Sequence, residues 1–303
     1  MTTVKDILTQ AQDQLAAAGI DSPDLDARLL TQHVMGWTQT KLLLNLNHLA
    51  SGDEVKGLQA AIDRRARREP VSRILGHRAF WKSDFKVTPQ TLDPRPDSES
   101  LIEGALKYVA PAPASILDLG TGTGCLLLSL LIEWPKATGV GLDISDEAVM
   151  TARENALNLS PSRRKPGSPD ADETPASAGV GDLVERAEFI ASDWSGYRPA
   201  ALFDLVISNP PYISDDEVPT LAPEVSQYDP LRALAAGPEG LDCYHSIAER
   251  LNNWLKPGGW ALFEIGHTQA EAVKSILALH GMSVLHVLPD LAGSDRVIVA
   301  RRP

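Results

Sequence analysis

A mainly parallel, doubly wound α/β sheet, preceded by a small helical domain and joined to it by a β-hairpin, is the architecture that the 303-residue sequence predicts. Three observations predict it. Residues 4–68 carry apolar side chains at helical spacing. From residue 98 onward, short apolar runs alternate with helical patterns, as strand–helix–strand units do. The first of those runs ends in a glycine-rich turn that opens a helix.

The elements follow in order. Val4, Ile7, Leu8, Ala11, Leu15 and Ala18 line one helical face, and Gly19 stops it. A second helix spans Asp24 to Val34 and closes at Gly36; a third opens at Ser51 and ends in Arg64, Arg65, Arg67 and Arg68 before Pro70. These make a helical domain over 1–72. Phe80, Trp81, Phe85 and Val87 alternate with charged residues, so 73–95 reads as a hairpin linker. The domain over 96–303 holds strands at 115–120, 137–143, 187–192, 203–208, 259–266, 283–288 and 296–301, with helices at 125–134 and 267–279. Ser145 caps a further helix, with Asp146 and Glu147 in its first turn. Segment 160–181 has four prolines and Val180 as its only large aliphatic, so it reads as a flexible insertion.

Composition narrows the function classes. With 43% hydrophobic and 22% charged residues the chain is globular rather than disordered. Two cysteines, Cys125 and Cys243, exclude a disulfide scaffold and a cysteine-rich zinc module and suit a reducing compartment. The start MTTVKDILTQ has no apolar signal core. The longest apolar run, Leu126 to Ile132, falls far short of the roughly 20 residues a bilayer requires. A cytoplasmic protein without membrane attachment is expected. The net charge of -12 is uneven: residues 1–86 carry 12 basic against 10 acidic residues, and 87–303 carry 16 against 30. An acidic larger domain opposes a grip on phosphate backbones, so no direct DNA binding is expected.

The chemistry concentrates at strand ends. Asp118-Leu119-Gly120-Thr121-Gly122-Thr123-Gly124 follows a strand and opens a helix. A dinucleotide fingerprint would place its third glycine at 125, where Cys125 stands. The spacing G-x-G-x-G with an acid two residues earlier is the pattern of S-adenosylmethionine (SAM) methyltransferases, although a plain tight turn would also use these glycines. Asp143 ends the second strand, where a carboxylate either takes both ribose hydroxyls or caps the next helix. Trp194 follows the third strand and either borders an adenine ring or fills the core. Asn209-Pro210-Pro211-Tyr212 follows the fourth strand, at the carboxyl edge where such sheets bind ligands. An Asn amide, a proline-held carbonyl and a tyrosine face suit a planar amide or amine.

N-P-P-Y is shared by methyltransferases acting on nitrogen conjugated to a planar system. Residues 73–99, NPPYI at 209–213, and segments 224–247, 255–269 and 290–302 closely resemble the PrmC/HemK family, the protein-(glutamine-N5) methyltransferases of peptide chain release factors. The family usually has a hydrophobic residue where Asp93 stands, an aromatic at Arg73 and Thr at Ser98. The resemblance implies a Rossmann-like SAM-dependent methyltransferase domain, release factors as protein substrates, S-adenosylhomocysteine as product, and a monomer. It implies that Gly120, Thr121, Gly122, Thr123 and Gly124 wrap the cofactor, that Asp143, Trp194 and Asn209 also bind it, and that Asn209, Pro210, Pro211 and Tyr212 form the catalytic glutamine pocket. Arg95, Asp97 and Glu99 lie in a shared motif without individual roles. Phe80 and Trp81 either wall the pocket or belong to the hairpin core. The helical domain is expected to dock the release factor, with Arg64 and Arg68 on one face either contributing to docking or forming a solvated helix end. A DNA adenine methyltransferase and an idle SAM-binding protein are the rival readings.

Overall fold

The computed structural model describes residues 2–160 and 182–303. The expected insertion over 160–181 lies, apart from Ser160, outside the described residues. The chain divides into two compact units, one of residues 1–77 with 222–228 and one of 78–221 with 229–303.

The first unit is helical. Its main helices are Val4–Ala17, Pro23–Met35 and Gly52–Ala66. Thr3 with Asp6 and Ser51 with Glu54 form capping boxes, and Gly36 closes the second helix in a left-handed conformation. Leu15, Leu30, Leu58 and Ile62 form its core. Each such side chain contributes about 1.5–3 kcal/mol on burial. Three arginines of the basic run pair within this unit. Arg64 pairs with Glu69. Arg65 is buried between Asp26, 2.7 Å away, and Glu224, 3.0 Å away. Arg68 reaches Glu224 at 3.0 Å and the Gly19 carbonyl at 2.7 Å. Arg64 and Arg68 therefore both have an acidic partner within this unit, and the Arg64 side chain stays part-exposed. Sequence spacing shows that they share a face, but not that acids 5 and 156 residues away face them.

The second unit begins with a hairpin of β1 (His77–Phe80) and β2 (Ser83–Lys86). Phe80 and Phe85 meet edge-on in its core. Trp81 donates its indole N–H to Glu133 at 2.7 Å, and its backbone N–H goes to Glu99 at 2.8 Å. Both aromatics therefore serve the hairpin, and neither lines the cavity described below.

The main sheet contains β3 (Ser115–Leu119), β4 (Thr138–Asp143), β5 (Ala187–Ala191), β6 (Phe203–Ser208), β7 (Leu255–Glu264), β8 (Ser283–Pro289) and β9 (Asp295–Arg301). Their order is β5-β4-β3-β6-β7-β9-β8. The first five strands are parallel, and β9 runs antiparallel to β7 and β8. Alternate residues enter two cores: Ile116, Leu205, Ile207 and Leu262 on one face, Leu117, Leu119, Val206 and Phe263 on the other. Burial of both faces explains why these strands read as continuous apolar runs. Helix 270–279 starts three residues later than its pattern suggests, because Gln269 folds back to accept the Gly266 N–H at 3.0 Å. Among the described residues, no helix is long and apolar enough to cross a membrane.

Candidate active site

Strand register gathers the chemistry. Leu119 pairs with Leu142 and with Ser208, and Ser208 pairs with Phe263. The next residue on each strand is Gly120, Asp143, Asn209 and Glu264, so all four leave the sheet at one level. The strand order reverses around β3, where open parallel sheets bind ligands at their carboxyl ends. A cavity of about 280 Å³ lies there. A larger one, about 560 Å³, sits at the opposite end of the strands beside Thr138, Ala187 and Phe203 and includes none of these groups. Chemistry, not volume, selects the first.

The glycine loop is shaped by its backbone. Gly120, Gly122 and Gly124 have φ of +70°, +55° and +79°. A side chain there would cost about 1–2 kcal/mol. The loop is tied down by Thr121 N–H to the Leu142 carbonyl at 2.8 Å and by Asn155 to the Thr123 carbonyl at 2.9 Å. Gly120, Thr121, Gly122 and Thr123 line the cavity; Gly124 instead caps the following helix against Ala152, Leu128 and Phe189.

Asp143 joins loop to strand. Its two carboxylate oxygens accept N–H groups of Gly122 and Ser145, each at 2.9 Å. Each oxygen keeps a further lone pair for a ribose hydroxyl. Burial raises its pKa, opposed by those N–H groups and by Arg232. Trp194 lines the cavity beside Gly120 and also packs on the core, with its N–H on Ser246 at 3.1 Å.

Asp118, beneath the loop, is fully buried, and burial pushes its pKa to about 7. One oxygen accepts the Thr121 hydroxyl at 2.6 Å; the other has no hydrogen-bond partner among the described residues. Asp143 and the glycine cradle, both on the cavity wall, fit a cofactor that carries a ribose.

The other end is built from side chains. Asn209 and Pro211 line the cavity; Pro210 and Tyr212 do not. The Tyr212 hydroxyl turns inward to Glu264, 3.2 Å away. Its carbonyl accepts from Gln269 at 2.9 Å. A Cβ on Gly240 would stand 2.3 Å from that carbonyl, so only glycine lets the two segments approach. The Asn209 amide donates to Ser98 Oγ at 3.1 Å, and Ser98 donates to Glu264 at 2.5 Å. Glu264 is buried, and burial raises its pKa to about 6. Sequence reasoning missed Glu264 and treated Ser98 only as a departure. The sole available signal was an acid closing an apolar strand. The shared motif at 95–99 now divides: Arg95 pairs with Asp229 beside the cavity, Asp97 lies 3.7 Å from Arg296, and Glu99 holds the hairpin.

Two family models match the chain: the PrmC N-terminal domain over residues 6–76 and a methyltransferase domain over 112–168. The chain is similar to the release factor glutamine methyltransferase of Cereibacter sphaeroides, with 43% identity over 98% of each protein. The protein of that name from Rhodospirillum rubrum is 40% identical over 98% of this chain and 84% of its own length. The one from Vibrio cholerae is 35% identical over 99% and 96%. A solved methyltransferase from Pyrococcus furiosus covers 79% of this chain and 97% of its own, at 15% identity and a TM-score of 0.49.

Proposed function

The chain belongs to the release factor glutamine methyltransferase family, and from that premise we propose that it methylates the side-chain amide nitrogen of the glutamine in the Gly-Gly-Gln motif of peptide chain release factors. The observation that carries this reading is Asn209, held at the cavity wall in line with the glycine loop and Asp143. When bound, SAM supplies an electrophilic sulfonium methyl and leaves as S-adenosylhomocysteine.

The chain's own residues do the rest. The 120–123 backbone, Asp143 and Trp194 hold the cofactor, and the Asp143 carboxylate favours its positive charge. An amide nitrogen is a poor nucleophile because its lone pair is delocalised into the carbonyl. Asn209 Oδ1 accepts an N–H of the substrate amide, drawing that proton aside and favouring a more pyramidal, nucleophilic nitrogen. Positioning of this kind is worth about 7–11 kcal/mol in well-oriented systems. The methylated nitrogen is cationic and sheds its proton readily, so no strong general base is assigned. Pro211 and Asn209 wall the glutamine pocket, while Tyr212 braces it from behind rather than stacking on the substrate.

The helical unit is assigned to the body of the release factor. Leu25, Leu43, Leu44 and Leu49 are its exposed large apolar side chains, whereas Arg64 and Arg68 are already paired. The enzyme works as a monomer in the cytoplasm, without DNA. Incubation with labelled SAM and, separately, release factor or duplex DNA tests this reading. Label in the release factor alone is expected; label in DNA, or in neither, would overturn it.

A further inference from the structure

We propose that Ser98 and Glu264 form a positioning relay that fixes which end of the Asn209 carboxamide faces the cavity. The inference rests on the assignment of Asn209 Oδ1 as acceptor for the substrate amide.

A carboxamide can be turned end over end at almost no cost in shape, so something must choose between its oxygen and its NH2. The choice begins at Glu264. An ionised carboxylate only accepts hydrogen bonds. Its two oxygens face the hydroxyls of Ser98, at 2.5 Å, and Tyr212, at 3.2 Å. Ser98 has one hydroxyl hydrogen, and Glu264 takes it. The remaining capacity of Ser98 Oγ is therefore to accept, and the group beside it is the Asn209 NH2 at 3.1 Å. With the NH2 so engaged, Oδ1 is the branch left for the substrate N–H. Reversal of the carboxamide would set two acceptors against each other inside a buried site, at about 1–3 kcal/mol.

The surroundings suit this role. Ser98 and Glu264 are both buried, and Ser98 and Asn209 also line the cavity. Ser98 stands just ahead of helix 99–108, Glu264 ends β7 and Asn209 follows β6, so three elements converge. The Tyr244 hydroxyl fixes the Glu264 backbone carbonyl at 2.8 Å. The charged and titratable groups facing the Glu264 carboxylate are Arg296, Asp97, Tyr212, Tyr244 and the Cys125 thiol. Arg296 favours ionisation and Asp97 opposes it. Glu264 is buried and does not line the cavity, so it acts through Asn209 rather than on the substrate. If Glu264 gains a proton, Ser98 can accept from it and donate to Asn209 Oδ1, which releases the choice.

The test compares Ser98→Ala, Ser98→Thr and Glu264→Gln in the full-length protein. Ser98→Ala is expected to lower kcat about tenfold, near 1.4 kcal/mol, with SAM affinity and KM within about threefold. Ser98→Thr keeps the hydroxyl and is expected to recover most of that loss. In the wild type, kcat is expected to fall as pH drops through about 6, where buried Glu264 takes up a proton. Glu264→Gln is expected to flatten that acid limb. A substrate-free readout completes the set: the side-chain amide resonance of Asn209, assigned by its loss in Asn209→Ala, should shift through the same pH in wild type and not in Ser98→Ala. Failure of the wild type to methylate release factor would reject the proposed reaction, and the resonance would still decide the relay. Undiminished kcat in Ser98→Ala, equal losses in Ala and Thr, or a resonance indifferent to pH would overturn the relay.

Discussion

The two strand ends that frame the cavity are neighbours in the sheet and opposites in construction. After β3, the glycine loop takes its shape from backbone conformation, with three positive φ angles inside five residues. After β6, Asn209 takes its orientation from side chains 111 residues before it and 55 residues after it, Ser98 and Glu264. A site held by its own backbone should fail by losing its ligand. A site held by remote side chains should fail by losing aim.

The largest expected effect tests the second end. Asn209→Ala and Asn209→Asp should both keep the fold and bind SAM within about tenfold of wild type. Single-turnover methylation should fall at least about a hundredfold, roughly 2.7 kcal/mol of transition-state stabilisation. The Ala variant lacks the acceptor; the Asp variant adds a charge that opposes loss of positive charge from sulfur. Calorimetry beside rapid-quench kinetics separates the two quantities, and near-normal turnover in Asn209→Ala would erase the contrast between the ends.

The first end should show the reverse pattern. Gly122→Ala strains a residue at φ +55° whose N–H holds Asp143. The strain of about 1–2 kcal/mol corresponds to roughly a tenfold rise in the SAM dissociation constant. At saturating SAM, kcat should stay within about threefold. Equal losses in affinity and kcat would show that the loop also aims the methyl.

A smaller effect sharpens the comparison through stability. The buried Asp118 carboxyl has its pKa raised to about 7, above the unfolded value, so the unfolded chain ionises first as pH rises. Its presence is therefore neutral below about pH 4 and costs stability increasingly up to about pH 7. Asp118→Asn should raise Tm by a few degrees at pH 8, near 1–2 kcal/mol, and the gain should vanish toward pH 4. Thermal melts across that range measure it. Binding of cationic SAM should also drive a proton off Asp118 near pH 7 in the wild type, seen as a buffer-dependent binding enthalpy that the Asn variant lacks.

The same contrast marks what could be read from sequence. The sheet was legible because doubly buried strands print as apolar runs and some helices carry their own cap, as Ser145 does for helix 146–159. The glycine loop and Asp143 were legible because their determinants are local. Glu264 was not, since an acid ending an apolar strand looks like any solvated strand end until the fold buries it. Tyr212 was assigned a stacking face from its motif, yet its hydroxyl is drawn behind the pocket by that hidden acid. Arg65 and Arg68 read as a basic run, and only folding brings Glu224 to them. Trp81 could be a pocket wall on spacing alone until the Glu99 and Glu133 contacts fixed it in the hairpin. In each case the missing information was a partner far along the chain.

The central claim is that residues 209–212 present a glutamine amide nitrogen to the cofactor's methyl group. Tandem mass spectrometry of a release factor after incubation with the enzyme and SAM tests it most directly. A single methyl on the side-chain nitrogen of the Gly-Gly-Gln glutamine, absent when Asn209→Ala replaces the wild type over the same interval, is the predicted result. An unmodified tip peptide, with both proteins folded and SAM bound, or a methyl carried on any other residue, would contradict it.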